Sequence, residues 1–320
     1  MTPIVRKRLL IAGLVAMFAA AFMALGAISK PTPVTTPTVA PATVAQTAPF
    51  DPWYWAVAVG PSDPNVVVLG MSSGLTRSAD GGKTWKPAGL KGINTTSIVD
   101  LGSSMVAAGA KAKSVTGAVA RKGTGRTVAD GAPVVAISAD DGKTWREVHP
   151  TGLIATAIQA LAVDPANPAS LYLLLNTGAL YRSTDTAASF QLVSKKLGVA
   201  PWAFAYTDGG RVVAGDMDSG PFTSVDGTTW SKTGFKDSRG GKMVMEYAVK
   251  PDDAKTVLMT SIGVVRSTDG GLTWRLVLQS TTMFGPVAYS PSKPEIAYAV
   301  GFDRSVWRSA DGGQSWTNVR

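Results

Sequence analysis

The chain contains no cysteine, and the part of it after residue 50 lacks helical periodicity. Without cysteine, disulfides and thiolate metal sites are excluded. No long stretch after residue 50 sustains apolar residues at i, i+3 and i+4, which argues against a helical fold. The sequence has instead 34 Gly and 20 Pro in an otherwise hydrophobic background, a composition that indicates many tight turns between short strands.

The net charge of +9 is concentrated in two segments. Residues 1–50 carry four cations and residues 111–126 carry five, and neither segment contains an acidic residue. The remainder of the chain is therefore neutral. A nucleic-acid-binding domain is expected to spread its basic residues over its folded surface. We therefore predict that nucleic acid is not a partner.

The N-terminus has the pattern of a membrane anchor or a signal peptide. Three cations, Arg6 to Arg8, precede an unbroken small and apolar run over residues 9–29, which is long enough to span a bilayer as a helix. This order predicts a cytosolic N-terminus and an exported body. Small residues near Gly26 and Ser29 would also suit signal cleavage, so both alternatives remain open. Residues 30–50, rich in Pro and Thr, are predicted to be a disordered, extended linker.

One eight-residue pattern, called the octet below, recurs six times in residues 51–320. Its first copy, Ser78–Trp85, reads SADGGKTW. Successive octet aspartates are 60, 45, 41, 43 and 42 residues apart, so the period is about 42, near the length of a propeller blade. The long first interval coincides with an insertion at residues 111–131. The octet aspartates are Asp80, Asp140, Asp185, Asp226, Asp269 and Asp311, and the closing aromatic residues are Trp85, Trp145, Phe190, Trp230, Trp274 and Trp316.

A strand that ends in a proline turn precedes most octets by about twenty residues, as in Ala58–Pro64 and Ala162–Pro168. With the apolar runs that follow, each repeat reads as four strands. The sequence therefore predicts an all-β, six-bladed propeller of four-stranded antiparallel blades over residues 51–320. An apolar helix over residues 1–29 and the linker are expected to precede it.

The octet has the chemistry of a turn. Glycine allows a positive φ, the aspartate can accept hydrogen bonds from amides inside the turn, and the closing aromatic residue can fill space between neighbouring sheets. A metal or catalytic role is the alternative, but a group that occurs identically in every blade cannot mark a single site.

The octet resembles the Asp-box, or BNR repeat, of sialidases, sortilin-type receptors, xyloglucanases and photosystem II assembly factors. The resemblance covers residues 53–320 and implies a propeller fold. It does not imply one function, because these families share the box and act differently.

The same resemblance gives little support for a sialidase. Sialidases of this kind use an arginine triad, whose first member lies in an Arg-Ile-Pro motif, with a Tyr–Glu nucleophile pair and an aspartate acid/base. This chain lacks that motif and has three glutamates, Glu147, Glu246 and Glu295. A glycosidase needs two carboxylates across the scissile bond, and no motif identifies such a pair. We therefore expect a non-catalytic protein. The alternative is a glycoside hydrolase with a non-standard active site.

A ligand is expected on the face opposite the octets. Side chains in the loops of that face could contact a ligand or be ordinary solvated residues. Glu246 aligns with Ala56 and Ala160 on the inner strands, so it is predicted to line the central channel or to be buried and paired. It is also the candidate catalytic residue. The ligand-binding candidates are Trp202, Asp216, Asp218, Glu246, Asp303 and Arg304.

Two weaker hypotheses concern methionine and the basic insertion. Thioethers suit Cu(I) in an exported protein, although methionine also fills gaps in cores. The candidates are Met71, Met217, Met243, Met245 and Met283. The cations of residues 111–131 could contact an anionic polymer, lipid headgroups or an acidic protein, or could belong to a disordered loop.

Taken together, the sequence predicts an exported monomer, membrane-tethered through residues 9–29 or secreted. It is expected to bind a protein or glycan ligand without any cofactor.

Overall fold

The computed structural model describes residues 54–111, 132–154, 156–197, 199, 201–216, 218–235 and 243–320. The predictions for residues 1–29, residues 30–50, Met217 and nearly all of the insertion lie outside the described residues. Residues 112–131 connect strands β6 and β7 of the second blade.

Six four-stranded antiparallel sheets follow one another along the chain, which confirms the predicted six-bladed propeller. Within each sheet the first strand of the four is innermost and the fourth is outermost. The first blade contains β1 (Tyr54–Val59), β2 (Val67–Met71), β3 (Gly74–Ser78) and β4 (Lys86–Pro87); the second contains β5 (Ile93–Asp100), β6 (Met105–Lys111), β7 (Pro133–Ser138) and β8 (Arg146–Val148). The third contains β9 (Ile158–Asp164), β10 (Asn167–Leu175), β11 (Leu180–Ser183) and β12 (Gln191–Ser194); the fourth contains β13 (Ala203–Tyr206), β14 (Val212–Asp216), β15 (Gly220–Ser224) and β16 (Ser231–Lys232). The fifth contains β17 (Glu246–Lys250), β18 (Asp253–Ser261), β19 (Gly263–Ser267) and β20 (Arg275–Leu278); the sixth contains β21 (Phe284–Tyr289), β22 (Ala297–Gly301), β23 (Val306–Ser309) and β24 (Thr317–Asn318).

The alternating strand direction gives the ring two distinct faces. The first and third strands of a blade run in the same direction, so the turns after both lie at one end, called the octet face below. Proline turns and octets therefore share this face. The opposite end, called the loop face, carries the turns between second and third strands and the connections between blades.

The ring closes by side-chain packing between the sixth and first blades. Inner strand β1 packs against β5 on one side and β21 on the other. Tyr54 and Leu69 of the first blade share a buried cluster with Tyr298 and Val300 of the sixth. The Tyr298 hydroxyl also donates a 3.1 Å hydrogen bond to the carbonyl of Pro64. Because each blade consists of consecutive strands, closure depends on these contacts rather than on an exchanged strand.

Each octet aspartate is used inside its own turn. In the first copy, Asp80 Oδ1 accepts hydrogen bonds from the amides of Lys83 and Thr84 at 3.1 and 2.9 Å, and Oδ2 accepts one from the Thr84 hydroxyl. The Ser78 hydroxyl donates to Asp80 and accepts from the amide of Gly82. The aspartates of the other five copies likewise accept bonds from their own turn amides. The fourth copy, Ser224–Trp230, keeps the hydrogen bonds to its aspartate although it is one residue shorter than the others.

The aromatic residue that closes each octet packs against the preceding blade. Trp85 of the first blade lies with Tyr298 and Val306 of the sixth, and its Nε1 donates to the carbonyl of Gly82 at 2.9 Å. The remaining five do the same in the clusters between successive blades, namely Trp145, Phe190, Trp230, Trp274 and Trp316. These six interfaces hold most of the core. In the described part of the chain no helix is long and apolar enough to cross a membrane.

Candidate functional site

An axial cavity of about 370 Å³ opens where the inner strands end, toward the octet face. Ligand pockets in proteins typically measure about 300–1,000 Å³, so this cavity can hold a small group or a side chain. All six blades contribute residues to its wall. The wall residues are Val57–Val59, Ile98–Asp100, Gly102, Leu161–Val163, Pro165, Pro168, Phe204, Ala205, Tyr247–Val249, Pro251, Val287–Tyr289 and Pro291.

Most of this wall is apolar because it is built from the inner strands of the blades and from the turns that follow them. Inner strands are buried between two neighbouring blades and are therefore built from Val, Ala and Leu. The turns that follow them contribute prolines, which carry no amide N–H to be solvated. Pro165, Pro251 and Pro291 thus form an apolar rim at three of the blades.

The second blade departs from this pattern and places a carboxylate in the wall. Its inner strand ends at Asp100, and no proline follows in Leu101–Ser104. The amide of Leu101 donates to the carbonyl of Ser104 at 2.8 Å, and the amide of Gly102, at φ +87°, donates to Asp100 Oδ2 at 3.1 Å. An aspartate-stabilised turn therefore replaces the proline turn here.

Asp100 is the one carboxylate among the described residues that line the cavity. Its Oδ1 is buried and accepts no hydrogen bond within the described chain. Burial raises the pKa of Asp100 to about 6, opposed by the Gly102 amide and assisted by the charge of Asp141. The described wall of the cavity is thus mostly apolar and contains one half-buried acidic group.

The three ligand-binding candidates at the loop face of the fourth blade take part in the packing and the turn hydrogen bonds of the propeller itself. Trp202 is only 8% exposed and packs with Val213 and Val244, while its amide donates to the carbonyl of Gly215 at 2.7 Å. Asp216 Oδ1 accepts the amides of Asp218 and Ser219 at 2.8 and 2.5 Å, which closes the β14–β15 turn. Asp218 is exposed on that turn.

Asp303 and Arg304 lie on the β22–β23 turn of the sixth blade. Asp303 Oδ1 accepts hydrogen bonds from the amide and the hydroxyl of Ser305 at 3.0 and 2.6 Å. Arg304 is exposed, with φ +70°, and its amide donates to the carbonyl of Gly301 at 2.9 Å. This turn and that of Asp216 belong to different, non-adjacent blades.

Glu246 is the first residue of β17, at the loop-face end of that strand, and is half-buried. Its Oε1 accepts a hydrogen bond from the amide of Tyr247 at 3.1 Å. The described cavity wall begins at the next residue, because the cavity lies toward the other end of the strand. The sheets are radial, so successive side chains face the two neighbouring blades: Tyr247 packs on the fourth blade and Ala248 on the sixth.

Four of the five methionine candidates lie in the described part of the chain. Met71 is buried in the cluster between the sixth and first blades, and Met245 is buried beside the start of β17. Met243 and Met283 are half-buried before the fifth and sixth blades. Among the described residues no group of three or more His, Asp or Glu could hold a metal ion.

Asp100 and the octet-face end of the central channel were not among the site features predicted from the sequence. A signal was present, because Pro61, Pro165, Pro251 and Pro291 occupy one register position after their inner strands, and the second blade has Gly102 at that position. The second and fourth blades both lack this proline, and of these two only the second contributes a carboxylate to the described cavity wall.

Comparison with known proteins supports the fold. No family profile and no curated protein matches the chain. Among solved structures, YCF48 from Cyanidioschyzon merolae is 16% identical, with 83% of this chain and 84% of that chain covered and a TM-score of 0.50. An ancestral GH74 enzyme is 17% identical over 83% of this chain and 40% of that one, with a TM-score of 0.53. A structure of YCF48 bound to D1 peptide is 20% identical over 83% and 80%, with a TM-score of 0.47.

The chain therefore has a propeller fold similar to those of YCF48 and of a GH74 enzyme. At these identities the likeness concerns the fold alone, which is compatible with a binding protein and with an enzyme.

Proposed function

We propose that this protein is a non-catalytic binding module that holds a segment of a protein partner in the axial cavity of the octet face. The observation that carries this proposal is the composition of the cavity, whose described wall is mostly apolar and contains a single carboxylate, that of Asp100. Hydrolysis of a glycosidic bond uses two carboxylates about 5–10 Å apart. A wall of this composition is suited to holding an apolar segment and fixing it with one polar contact.

The wall is also rigid, as a binding site requires. Most of its residues lie on strands that are hydrogen-bonded to their own blade and packed between two neighbours. Sites on such elements need little reorganisation when a ligand enters, which limits the entropic cost of binding.

The proposed place of action is outside the cytosol. The apolar run over residues 9–29 after three cations supports export, and residues 30–50 would separate the propeller from the membrane. Cell fractionation of the full chain tests this. We expect the protein in the membrane or external fraction, and deletion of residues 2–29 should leave it in the cytosol. Cytosolic recovery of the full chain would contradict this part of the proposal.

A peptide array probed with the full-length protein tests the binding function. Val163 is a half-buried residue of the cavity wall, so Val163→Trp should fill the cavity. Val225 is 71% exposed in the fourth octet, which makes Val225→Trp a matched control. We expect wild type and the Val225→Trp variant to bind the same peptides and the Val163→Trp variant to lose them.

Two results would count against the proposal. The first is peptide binding that the Val163→Trp substitution leaves unchanged. The second is hydrolysis of a polysaccharide panel by the wild type that Glu246→Gln abolishes, because this would favour the glycoside hydrolase. Thermal unfolding of each variant shows whether a loss of binding reflects a loss of structure.

A further inference from the structure

The outermost strand of the third blade, β12, is an open sheet edge that carries exposed apolar side chains. It pairs with β11 on one side, and no described strand pairs with it on the other. Leu192 and Val193 are 48% and 52% exposed. An edge of this kind can add a further extended strand, whose main chain satisfies the free N–H and C=O groups of the edge.

The other five outer strands have features by which proteins prevent such pairing. Four of them contain a charged residue or a proline, and the fifth is only two residues long. These features are Lys86 and Pro87 in β4, Arg146 and Glu147 in β8, Lys232 in β16, Arg275 in β20, and the short β24 (Thr317–Asn318). β12 reads Gln-Leu-Val-Ser, so it is four residues long and has none of these protections.

The chain directly before β12 already pairs with a segment from outside its own blade. The amide of Thr151, in the connection between the second and third blades, donates to the carbonyl of Ala188 at 3.2 Å. The amide of Phe190 donates to the carbonyl of Thr151 at 2.9 Å. This pairing ends at Phe190, and among the described strands only β11 pairs with Gln191–Ser194.

The charge at the far end of β12 selects among possible strands. Lys195 and Lys196 follow β12 directly and are exposed, and neither forms an ion pair with a described residue. An acidic residue on an added strand would lie beside them. Charged groups at the exposed rim of an interface contribute mainly to specificity and to the rate of association.

We propose that β12 is the docking edge for an extended segment of a partner protein, with apolar residues against Leu192 and Val193 and acidic residues beside Lys195 and Lys196. The segment runs antiparallel to β12, the more stable arrangement, so its acidic residues precede its apolar ones. This surface lies on an outer strand, whereas the axial cavity is lined by inner strands and their turns. The inference therefore goes beyond the proposed function.

The size of the edge favours a flexible segment over a second copy of this chain. Specific interfaces between folded proteins usually involve about 20–30 residues on each side. β12 offers four, so two folded copies would need further matching surfaces around it. An extended segment needs only the edge itself and the two lysines that follow it.

Fluorescence anisotropy of the full-length protein tests the proposal with three labelled peptides. The first reads Glu-Glu-Val-Thr-Val-Thr-Val, the second begins with Lys-Lys instead, and the third has proline at the central valine, which removes a main-chain donor. We expect the first to bind more tightly than either of the others by about tenfold. Equal binding of the three peptides would overturn the proposal.

Two matched substitutions locate the binding. Leu276 lies on the outer strand of the fifth blade and is 40% exposed, so Leu276→Lys is the control for Leu192→Lys. A lysine within an edge strand opposes pairing, and we expect Leu192→Lys to weaken the acidic peptide by about tenfold and Leu276→Lys to have no effect. The double variant Lys195→Glu and Lys196→Glu should instead prefer the basic peptide. Unchanged binding by Leu192→Lys, or an unchanged preference in the double variant, would contradict the assignment.

Hydrogen exchange of the wild type, followed by NMR, gives a readout that does not depend on how the variants fold. The acidic peptide should slow the exchange of amides within Gln191–Ser194, because an added strand accepts hydrogen bonds from this edge. Slowed exchange only in other strands would overturn the proposal. So would a wild-type dimer, seen by analytical ultracentrifugation, that Leu192→Lys dissociates, since a second copy would then occupy the edge.

A final comparison separates this inference from the proposed function. Val163→Trp, in the wall of the axial cavity, should leave binding of the acidic peptide unchanged. A peptide that is lost with Val163→Trp and retained with Leu192→Lys would lie in the axial cavity, which would overturn the docking edge and support the proposed function.

Discussion

The Nε of Arg77 donates a 2.7 Å hydrogen bond to the main-chain carbonyl of Asp141, the residue after the octet aspartate of the next blade. Arg266 makes the same contact, at 3.0 Å, to the carbonyl of Gly312. Arg182 has the equivalent place in the third blade, yet its Nε is buried without a hydrogen-bond partner in the described structure. The octet that follows it is the one that lacks a residue, between Asp226 and Trp230. This contact between blades is thus absent where the next octet is one residue shorter.

Insertion of one glycine after Gly227 should restore the missing contact. The insertion recreates the length of the complete octets and can present a carbonyl to Arg182 Nε. Since a buried donor without a partner costs about 1–3 kcal/mol, we expect a gain of about 1–2 kcal/mol in the free energy of unfolding. Urea unfolding measures it. The same insertion in an Arg182→Met background serves as the control, and an equal gain there would show that the arginine is not responsible.

The octet aspartates should make the propeller sensitive to acid. Hydrogen bonds from the Ser189 hydroxyl, the Ser189 amide and the Ser183 hydroxyl lower the pKa of Asp185 to about 2. Because this value lies below the ordinary one of 3.8, the stabilisation is complete above about pH 4 and is lost as the pH falls through 2. Asp140 and Asp311, also with pKa values of about 2, add to the same trend.

Denaturant unfolding of the wild type and Asp185→Asn at pH 5, 4, 3 and 2 measures this effect. We expect the wild type to be the more stable at pH 5 and the difference to shrink toward pH 2. Asp218→Asn, on an exposed turn of the loop face, is the control and should change little. A difference between wild type and Asp185→Asn that stays constant over this range would contradict the pKa assignment.

The second octet contains an aspartate where most copies have glycine, and we expect its side chain to compensate for backbone strain. Asp141 has φ +56°, and its carboxylate accepts hydrogen bonds from both the amide and the hydroxyl of Ser62 in the first blade. Asp141→Ala keeps the strain and loses both bonds, whereas Asp141→Gly loses the bonds and relieves the strain. A left-handed residue other than glycine costs about 1–2 kcal/mol, so the glycine variant should be more stable than the alanine variant by about 1 kcal/mol.

Thermal unfolding compares these two variants, and Ser62→Ala completes a double-mutant cycle. Ser62→Ala should lower the stability of the wild type and have little effect in the Asp141→Gly background. Equal losses in both backgrounds would indicate that the serine acts through other contacts.

The repeat predicted the architecture because both its signals are local. An octet of fixed chemistry needs only its own hydrogen bonds to form a turn, and a period of about 42 residues fixes the number of blades. The closing aromatic residues were correctly expected between sheets, since Trp85 and its counterparts lie at each interface between blades.

The candidate site was harder to predict because it depends on how whole blades are arranged. Alternation along an inner strand predicted that Glu246 lines the channel or is buried and paired. In radial sheets, however, alternate side chains face the neighbouring blades, so alternation alone does not identify the residues of the cavity wall. Trp202 was expected on the surface because it lies in a connection, and that connection packs into the interface between the fourth and fifth blades. Neither arrangement can be read from a single repeat.

The carboxylate of Asp100 should lower the stability of the unliganded protein above neutral pH. Burial raises its pKa from 3.8 to about 6, so the folded state disfavours the ionised form. The penalty is absent below about pH 4, develops as the pH rises toward 6, and is constant above it. A pKa shift of this size corresponds to about 2–3 kcal/mol, at 1.36 kcal/mol for each pKa unit.

Asp100→Asn keeps an oxygen for the Gly102 amide and removes the charge, so it should stabilise the protein by that amount at pH 8 and by little at pH 4. Urea unfolding at both pH values measures the difference, with Asp208→Asn as the control at an exposed site. An Asp100→Asn variant that is less stable than the wild type at pH 8 would mean that the carboxylate has a structural partner.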